Sequence, residues 1–207
     1  MRRLLLFGLV VLVLPACGGK SEAACKYSDD ASPTGGRAQS PPTEQLDADK
    51  LYRLVLRTNK GSFTISLDQK LAPCTSASLV SLARNGFFDH TVFHRIVPGF
   101  VIQGGDPTAS GRGGPGYKSV DEPPADAKYD YGVVAMAKAG DEPPGTAGSQ
   151  FFVVTGRDVQ LPPDYAVVGS VTDGLDVIDR IGVLGDVNEK PTQKVEIEHV
   201  SVTVTAS

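Results

Sequence analysis

Leu54 and Leu56, then Phe63, Ile65 and Leu67, alternate with polar residues on either side of Thr58-Asn59-Lys60-Gly61. A period of two sends successive side chains to opposite faces, so the pattern predicts two half-buried strands joined by a tight turn, a β-hairpin. The spacing then changes. Pro73 is followed by Leu79, Val80, Leu82 and Ala83 at helical intervals and by Asn85-Gly86. Proline suits the first turn of a helix and glycine its end, which predicts one helix of about three turns. Short apolar runs follow at Val92–Val97, Phe100–Gln103, Gly132–Ala137, Gln150–Thr155, Ala166–Val171 and Val195–Val204, set apart by stretches rich in Gly and Pro. A second helix fits Gly174–Ile181, ahead of the last run. Many short strands, irregular connections and only two helices point to a mainly β fold. They suit a closed barrel better than strand–helix–strand units, whose crossovers would be helical.

The N-terminal quarter shows none of this patterning. Arg2 and Arg3 precede an apolar run from Leu4 to Leu14 and then Pro15-Ala16-Cys17. This is the order of a secretory signal, charged then apolar then small, and the run is too short for the ~20 residues of a spanning helix. Leu14-Pro15-Ala16-Cys17 resembles a bacterial lipobox, so residues 1–16 are expected to be cleaved and Cys17 to carry lipid. An ordinary cleaved signal and an uncleaved anchor are the alternatives. Residues 26–50 read KYSDDASPTGGRAQSPPTEQLDADK, with almost no large apolar side chain. Such a stretch cannot bury enough surface to offset its ordering entropy, so 17–50 is expected to be a lipid-bearing cysteine and a flexible linker, with the folded domain at 51–207. Export changes the reading of the cysteines. Beside Cys17 only Cys25 and Cys74 remain, and an oxidising compartment permits them to pair. Neither has a cysteine or histidine at metal-ligand spacing.

Composition narrows the function classes. With 20 basic and 24 acidic side chains among 207 residues the chain is mildly acidic and carries no Lys/Arg cluster, so a nucleic-acid partner is not expected. The 23 Gly and 15 Pro follow no three-residue period and read as turns. The run from Gly111, GRGGPG, lacks the Lys-Ser/Thr ending of a phosphate loop, and no G-x-S-x-G nucleophile motif occurs. Asp89, His90 and His94 are residue types that ligate metals, but an i, i+4 histidine pair needs a helix and this segment reads as loop into strand. No metal is expected.

The chemistry-bearing stretch runs from Phe87 to Tyr117. It places Arg95, Phe100 and Gln103 on two strand runs separated by a Pro98-Gly99 turn, so that a cation, an aromatic wall and an amide could share one face. A second face comes from Met136-Ala137-Lys138-Ala139 and Gly148-Ser149-Gln150-Phe151-Phe152, whose small residues leave room for a peptide. These segments, FHRIVPGFVIQGGDPTASGRGGPGY with VAMAKAG and GSQFFV, closely resemble the cyclophilin-type peptidyl-prolyl cis/trans isomerases over about Leu51 to Val204. The resemblance implies a closed eight-stranded antiparallel β-barrel capped by two α-helices, an active site on its outer face and no cofactor. It implies catalytic roles for Arg95, Phe100 and Gln103. Substrate binding falls to Val101, Ala137, Lys138, Ala139, Gln150, Phe152, Leu161 and Tyr165. Phe93 and Phe151 are expected to be plain core.

Two positions depart from the family pattern. Gln160 stands where many members carry tryptophan and Tyr165 where many carry histidine, so a more polar wall near Gln160 is expected. Lys138 places a charge at the peptide-binding rim, which could favour acidic or non-basic substrates. The expected function is acceleration of X–Pro bond rotation in extracytoplasmic proteins by a monomer. Its partners are proline-containing polypeptides and, through Cys17, a membrane. A non-catalytic proline-peptide-binding or chaperone module is the alternative.

Overall fold

The 51–67 pattern forms the hairpin it predicts. In the computed structural model, which describes residues 25–207, strand β2 (Lys50–Thr58) pairs antiparallel with β3 (Gly61–Leu67) from Arg53 opposite Ser66 to Thr58 opposite Gly61. The Thr58 hydroxyl donates to the Gly61 carbonyl and accepts from the Lys60 amide, which closes the turn. Leu54, Leu56, Phe63, Ile65 and Leu67 are buried, as their alternation requires. Helix α1 (Pro73–Arg84) begins on its proline and buries Leu79, Val80, Leu82 and Ala83. The apolar runs become β4 (Thr91–Val92), β5 (Arg95–Val97), β6 (Val101–Gly104), β8 (Val133–Met136), β10 (Phe151–Val154), β11 (Val167–Asp173) and β12 (Glu196–Ala206). Helix α2 (Leu175–Gly182) lies one residue beyond its predicted limits and buries Val177, Ile178 and Ile181.

Three short strands carry no periodic signal: β1 (Ser28–Asp29), β7 (Tyr117–Val120) and β9 (Thr146–Ala147). They form a separate small sheet in the order β1-β7-β9.

The main sheet runs β4-β12-β2-β3-β11-β8-β10-β6-β5, all antiparallel. It is a curled nine-stranded sheet, and no ladder joins its two outer strands, which corrects the expected closed eight-stranded barrel. Both edges come from one stretch of chain. The Phe93 amide bonds the Val195 carbonyl and the next amide, His94, bonds the Gln103 carbonyl, so the chain passes from the β12 side to the β6 side between β4 and β5. One apolar run thereby becomes two short strands.

Successive residues of β10 face opposite ways. Phe151 enters the core, with its ring edge-on to Phe88 and Phe93 at 6.1 and 5.9 Å. Phe152 belongs to a second apolar cluster with Val101, Tyr129, Ala135 and Val154 on the other face of the sheet. Burying an aromatic ring of this size contributes about 2–3 kcal/mol, so a one-residue slip of β10 would forfeit both placements.

Residues 26–50 correct another expectation. They do not hang free but lie along the body, tied by a Cys25–Cys74 disulfide with its Cα atoms 5.3 Å apart. The Tyr27 hydroxyl donates to the Cys74 carbonyl at 2.9 Å, and its ring stands edge-on to Tyr117. Asp30 and Gln39 amides donate to Gly116 and Pro115, while Arg37 reaches the Phe87 and Asp89 carbonyls. A segment without a core of its own is thus held by one covalent bond, the side chains of Tyr27, Arg37 and Asp30, and backbone hydrogen bonds that composition does not reveal. The signal sequence expected at residues 1–16 and the lipid expected on Cys17 concern positions outside the described residues. Among the described residues no helix is long and apolar enough to cross a membrane.

Candidate active site

The Pro98-Gly99 turn sets the register of the candidate site. Gly99 sits at φ 73°, a left-handed conformation that suits glycine, and the Phe100 amide donates back to the Val97 carbonyl. Arg95 on β5 therefore lies opposite Gln103 on β6, and Gln103 opposite Phe152 on β10. Residues directly opposite in an antiparallel pair share a face. The result is a cleft of about 190 Å³ lined by Arg95, Phe100, Val101, Gln103, Ala137, Lys138, Phe152, Leu161 and Tyr165. The two remaining candidates, Ala139 and Gln150, line a larger adjoining cleft of about 350 Å³, which shares Gln103, Ala137 and Lys138 with the first. Asp30 and Ser32 of the N-terminal segment form part of its wall.

A directional chain of hydrogen bonds runs along the floor. Arg95 Nη1 donates to Gln103 Oε1 at 3.4 Å, Gln103 Nε2 to Gln150 Oε1 at 3.1 Å, and Gln150 Nε2 to the Gly113 carbonyl at 2.9 Å. Each amide has one accepting and one donating end, so the chain fixes which atom of Gln103 remains near the cation. Gly113 is held in turn by Asp106, whose carboxylate accepts the amides of Thr108, Gly111, Arg112 and Gly113. A Cβ at position 113 would collide with that carboxylate. Burial raises the Asp106 pKa, but these amide donors outweigh it and hold the group below the usual carboxylate range. The glycines of GRGGPG thus serve a loop wrapped around an aspartate.

The apolar wall is pinned from a distance. Phe152 and Tyr165 meet edge-on at 5.4 Å. The Tyr129 hydroxyl donates to the Tyr165 carbonyl at 2.8 Å and accepts the Tyr165 amide at 3.0 Å. Sequence reasoning missed Tyr129, which stands in a polar, proline-containing loop with no periodic signal. It also missed Glu189, whose Oε2 accepts from Arg95 Nε at 2.6 Å. Gln160 is exposed and does not line the cleft, so the expected polar wall is absent there; Leu161 and Tyr165 take its place.

Lys138 requires a correction. Its side chain is only 4% exposed, and its ammonium pairs with Asp164 at 2.7 Å while donating to the Glu142 carbonyl at 2.9 Å. The charge is compensated within the protein, so it does not present a free cation at the rim. The Asp89, His90 and His94 cluster also separates: Asp89 accepts from His199 and the Val200 amide, His90 meets Glu196, and His94 is buried with neither ring nitrogen in a well-formed hydrogen bond.

Known proteins resemble this chain in sequence and in fold. Residues 53–202 match the family model described as cyclophilin type peptidyl-prolyl cis-trans isomerase/CLD. The chain is 39% identical over 167 residues to the probable peptidyl-prolyl cis-trans isomerase A of Mycobacterium leprae, a match covering 72% of this chain and 90% of that one. It is 40% identical over 167 residues to the corresponding Mycobacterium tuberculosis protein, with the same coverage. Among solved structures, a cyclophilin-type isomerase of Cryptosporidium parvum superposes with a TM-score of 0.66 at 30% identity, covering 74% of this chain and 98% of that chain. A second structure of that protein, obtained in the presence of the dipeptide Ala-Pro, gives 0.65 at 30% identity over 73% and 98% of the two chains. A domain-length match together with relatives at this identity establishes the family: the chain belongs to the cyclophilin-type peptidyl-prolyl cis-trans isomerases.

Proposed function

We propose that the cleft over β5, β6 and β10 is where this isomerase turns X–Pro bonds, with Arg95 as the catalytic cation. Amide resonance imposes a rotation barrier of about 18–20 kcal/mol, while the two prolyl isomers differ by only about 0.5–1 kcal/mol. The task is therefore to weaken C–N double-bond character at the twisted geometry, without nucleophile or proton transfer. A guanidinium directed at the prolyl nitrogen favours its pyramidal form, in which the lone pair has left conjugation. Arginine stays charged at any working pH and presents a fixed donor fork. Phe100, Val101, Phe152 and Leu161 hold the proline ring, while Gln103, Gln150 and the 137–139 backbone hold the peptide, so one side of the bond rotates against the other. Tyr165 offers its hydroxyl where the rotating carbonyl passes.

The observation that carries this reading is the pairing of Arg95 with Gln103 beside an apolar cleft built by Phe152 and Val101. The Ala-Pro present with the Cryptosporidium parvum relative supports proline peptides as substrates. We further propose that the protein acts alone, as a monomer, on extracytoplasmic clients, held to a membrane by lipid on Cys17. The Cys25–Cys74 disulfide supports an oxidising compartment.

Two-dimensional exchange NMR of a short proline peptide tests the catalytic part. The parent should accelerate exchange, and Arg95→Ala should lose tenfold or more, which corresponds to about 1.4 kcal/mol of barrier. Peptide-induced shifts without exchange in the parent would make the cleft a binding site only. Intact mass of the membrane-extracted protein tests the anchor: diacylglycerol on Cys17 supports it, and an unmodified mature chain in the soluble fraction removes it.

A further inference from the structure

The loop between α2 and β12 is built to present one side chain to β5. Asp186 Oδ1 accepts the amides of Asn188 and Lys190 at 2.8 and 2.9 Å, and the Asp186 amide donates to the Lys190 carbonyl. Gly185 packs so closely on the Ile96 carbonyl that a Cβ would collide with it, and the Ile96 amide donates to the Glu189 carbonyl at 3.0 Å. The loop is therefore closed on itself and fastened to the residue after Arg95. Within it Glu189 sits at φ 63°, one of three non-glycine residues with positive φ among those described. Glycine would adopt that backbone without strain; glutamate does not. The strained residue is also the one whose carboxylate reaches Arg95 Nε, at 2.6 Å.

Arg95 is one-third exposed and carries a long, rotamer-rich side chain. The Gln103 contact on Nη1 is long at 3.4 Å and cannot by itself hold the guanidinium plane. A carboxylate on Nε supplies the second fixed point. We propose that Glu189 is a positioning residue for prolyl isomerisation: by accepting from Arg95 Nε it sets the plane in which the guanidinium meets the X–Pro bond. The inference rests on Arg95 being the catalytic cation. As an exposed ion pair the contact contributes little to stability, and its effect lies in geometry, where small misplacements of a reacting group are costly.

Glu189→Gly separates the two roles, because it removes the carboxylate and suits the left-handed backbone. By exchange NMR at several peptide concentrations, kcat should fall about fivefold while KM stays within about twofold. The melting temperature should not fall, and the Arg95 Nε–Hε resonance should lose its protection from solvent exchange. Glu189→Gln, which keeps an acceptor, should recover at least half the parent kcat. Parent-like or faster turnover by Glu189→Gly, beside an impaired Arg95→Ala, would overturn this inference alone. A kcat loss that tracks a fall in melting temperature would assign the residue to loop structure and overturn it too. An Arg95→Ala variant as fast as the parent would instead remove the reading on which it rests.

Discussion

The disulfide gives the sharpest test of whether the N-terminal segment belongs to the folded body. Cys25 and Cys74 are 49 positions apart. Closing a loop of that length in the unfolded chain removes entropy equivalent to about 4 kcal/mol at 25 °C. The full amount appears only if the segment unfolds together with the domain. The Tyr27 bond to Cys74, the Asp30 and Gln39 amides and the Arg37 bonds argue that it does, each contributing about 0.5–1.5 kcal/mol. Because engineered losses often fall short of the entropic ceiling, a Cys25→Ser/Cys74→Ser double variant should be less stable by about 2–4 kcal/mol. For a domain of this size that lowers the melting temperature by roughly 5–15 °C. The chain has six tyrosines and no tryptophan, so guanidinium unfolding is best followed by far-ultraviolet circular dichroism and tyrosine emission in parallel. Coincident transitions, a lower midpoint and a slope equal to or steeper than the parent's, because the uncrosslinked chain unfolds to a more open ensemble, are the expected result. A difference below about 1 kcal/mol, or a first transition seen only by tyrosine emission, would show the segment detaching on its own and refute the reasoning.

Two further outcomes follow from buried polar groups. Tyr129→Phe deletes the hydroxyl that bonds both the amide and the carbonyl of Tyr165; it should cost about 1–2 kcal/mol in urea unfolding and raise KM for a proline peptide, since the pocket wall loses its pin. His94 has its pKa lowered by burial, with Lys190 and Arg95 acting the same way and Asp106 opposing them. The folded protein therefore keeps the ring neutral while the unfolded chain takes up a proton near pH 6.5. The group's contribution is complete above that pH and is lost as pH falls through it toward the folded value. The urea midpoint should drop between pH 7 and pH 5, and His94→Gln should flatten that drop; an equal drop in the variant would assign the dependence elsewhere.

Local physics explains how much of the fold was legible. Wherever one face of a strand is buried, alternation is forced, and Leu54 through Leu67 display it without interruption. Helix α1 announces itself by the proline at its start and by apolar spacing. What stayed hidden has no periodic signature. Two-residue strands such as Ser28–Asp29 cannot express a period, and their pairing with Lys118 and Tyr117 depends on where the disulfide delivers them. Composition alone left residues 26–50 without a reason to be ordered, because the groups that order them belong to the partner surface. The split of 91–97 into two sheet edges is equally non-local: Phe93 and His94 choose different neighbours because Val195 and Gln103 arrive from opposite sides.

The same distinction governs the candidate site. Arg95, Phe100 and Gln103 lie within nine residues, and a two-strand turn suffices to place a cation beside an amide, so the chain's own order carries the geometry. Gln150 and Phe152 required a second segment, yet that segment was itself a strand of alternating use, Phe151 inward and Phe152 outward. The groups that fix these residues come from elsewhere. Glu189 lies 94 positions from Arg95, Tyr129 lies 36 from Tyr165, and Asp164 meets Lys138 from another loop. Each is a polar residue in a polar stretch, where sequence pattern carries no direction. Lys138 shows the consequence: read alone it is a free charge at a peptide rim, whereas with Asp164 beside it the charge is spent inside the protein. Residue types reveal what can react, while orientation is set by partners that only the closed chain brings within hydrogen-bond distance. The selectivity of this cleft should therefore be sought in the 129, 142, 164 and 189 loops as much as in the strands that carry the reacting groups.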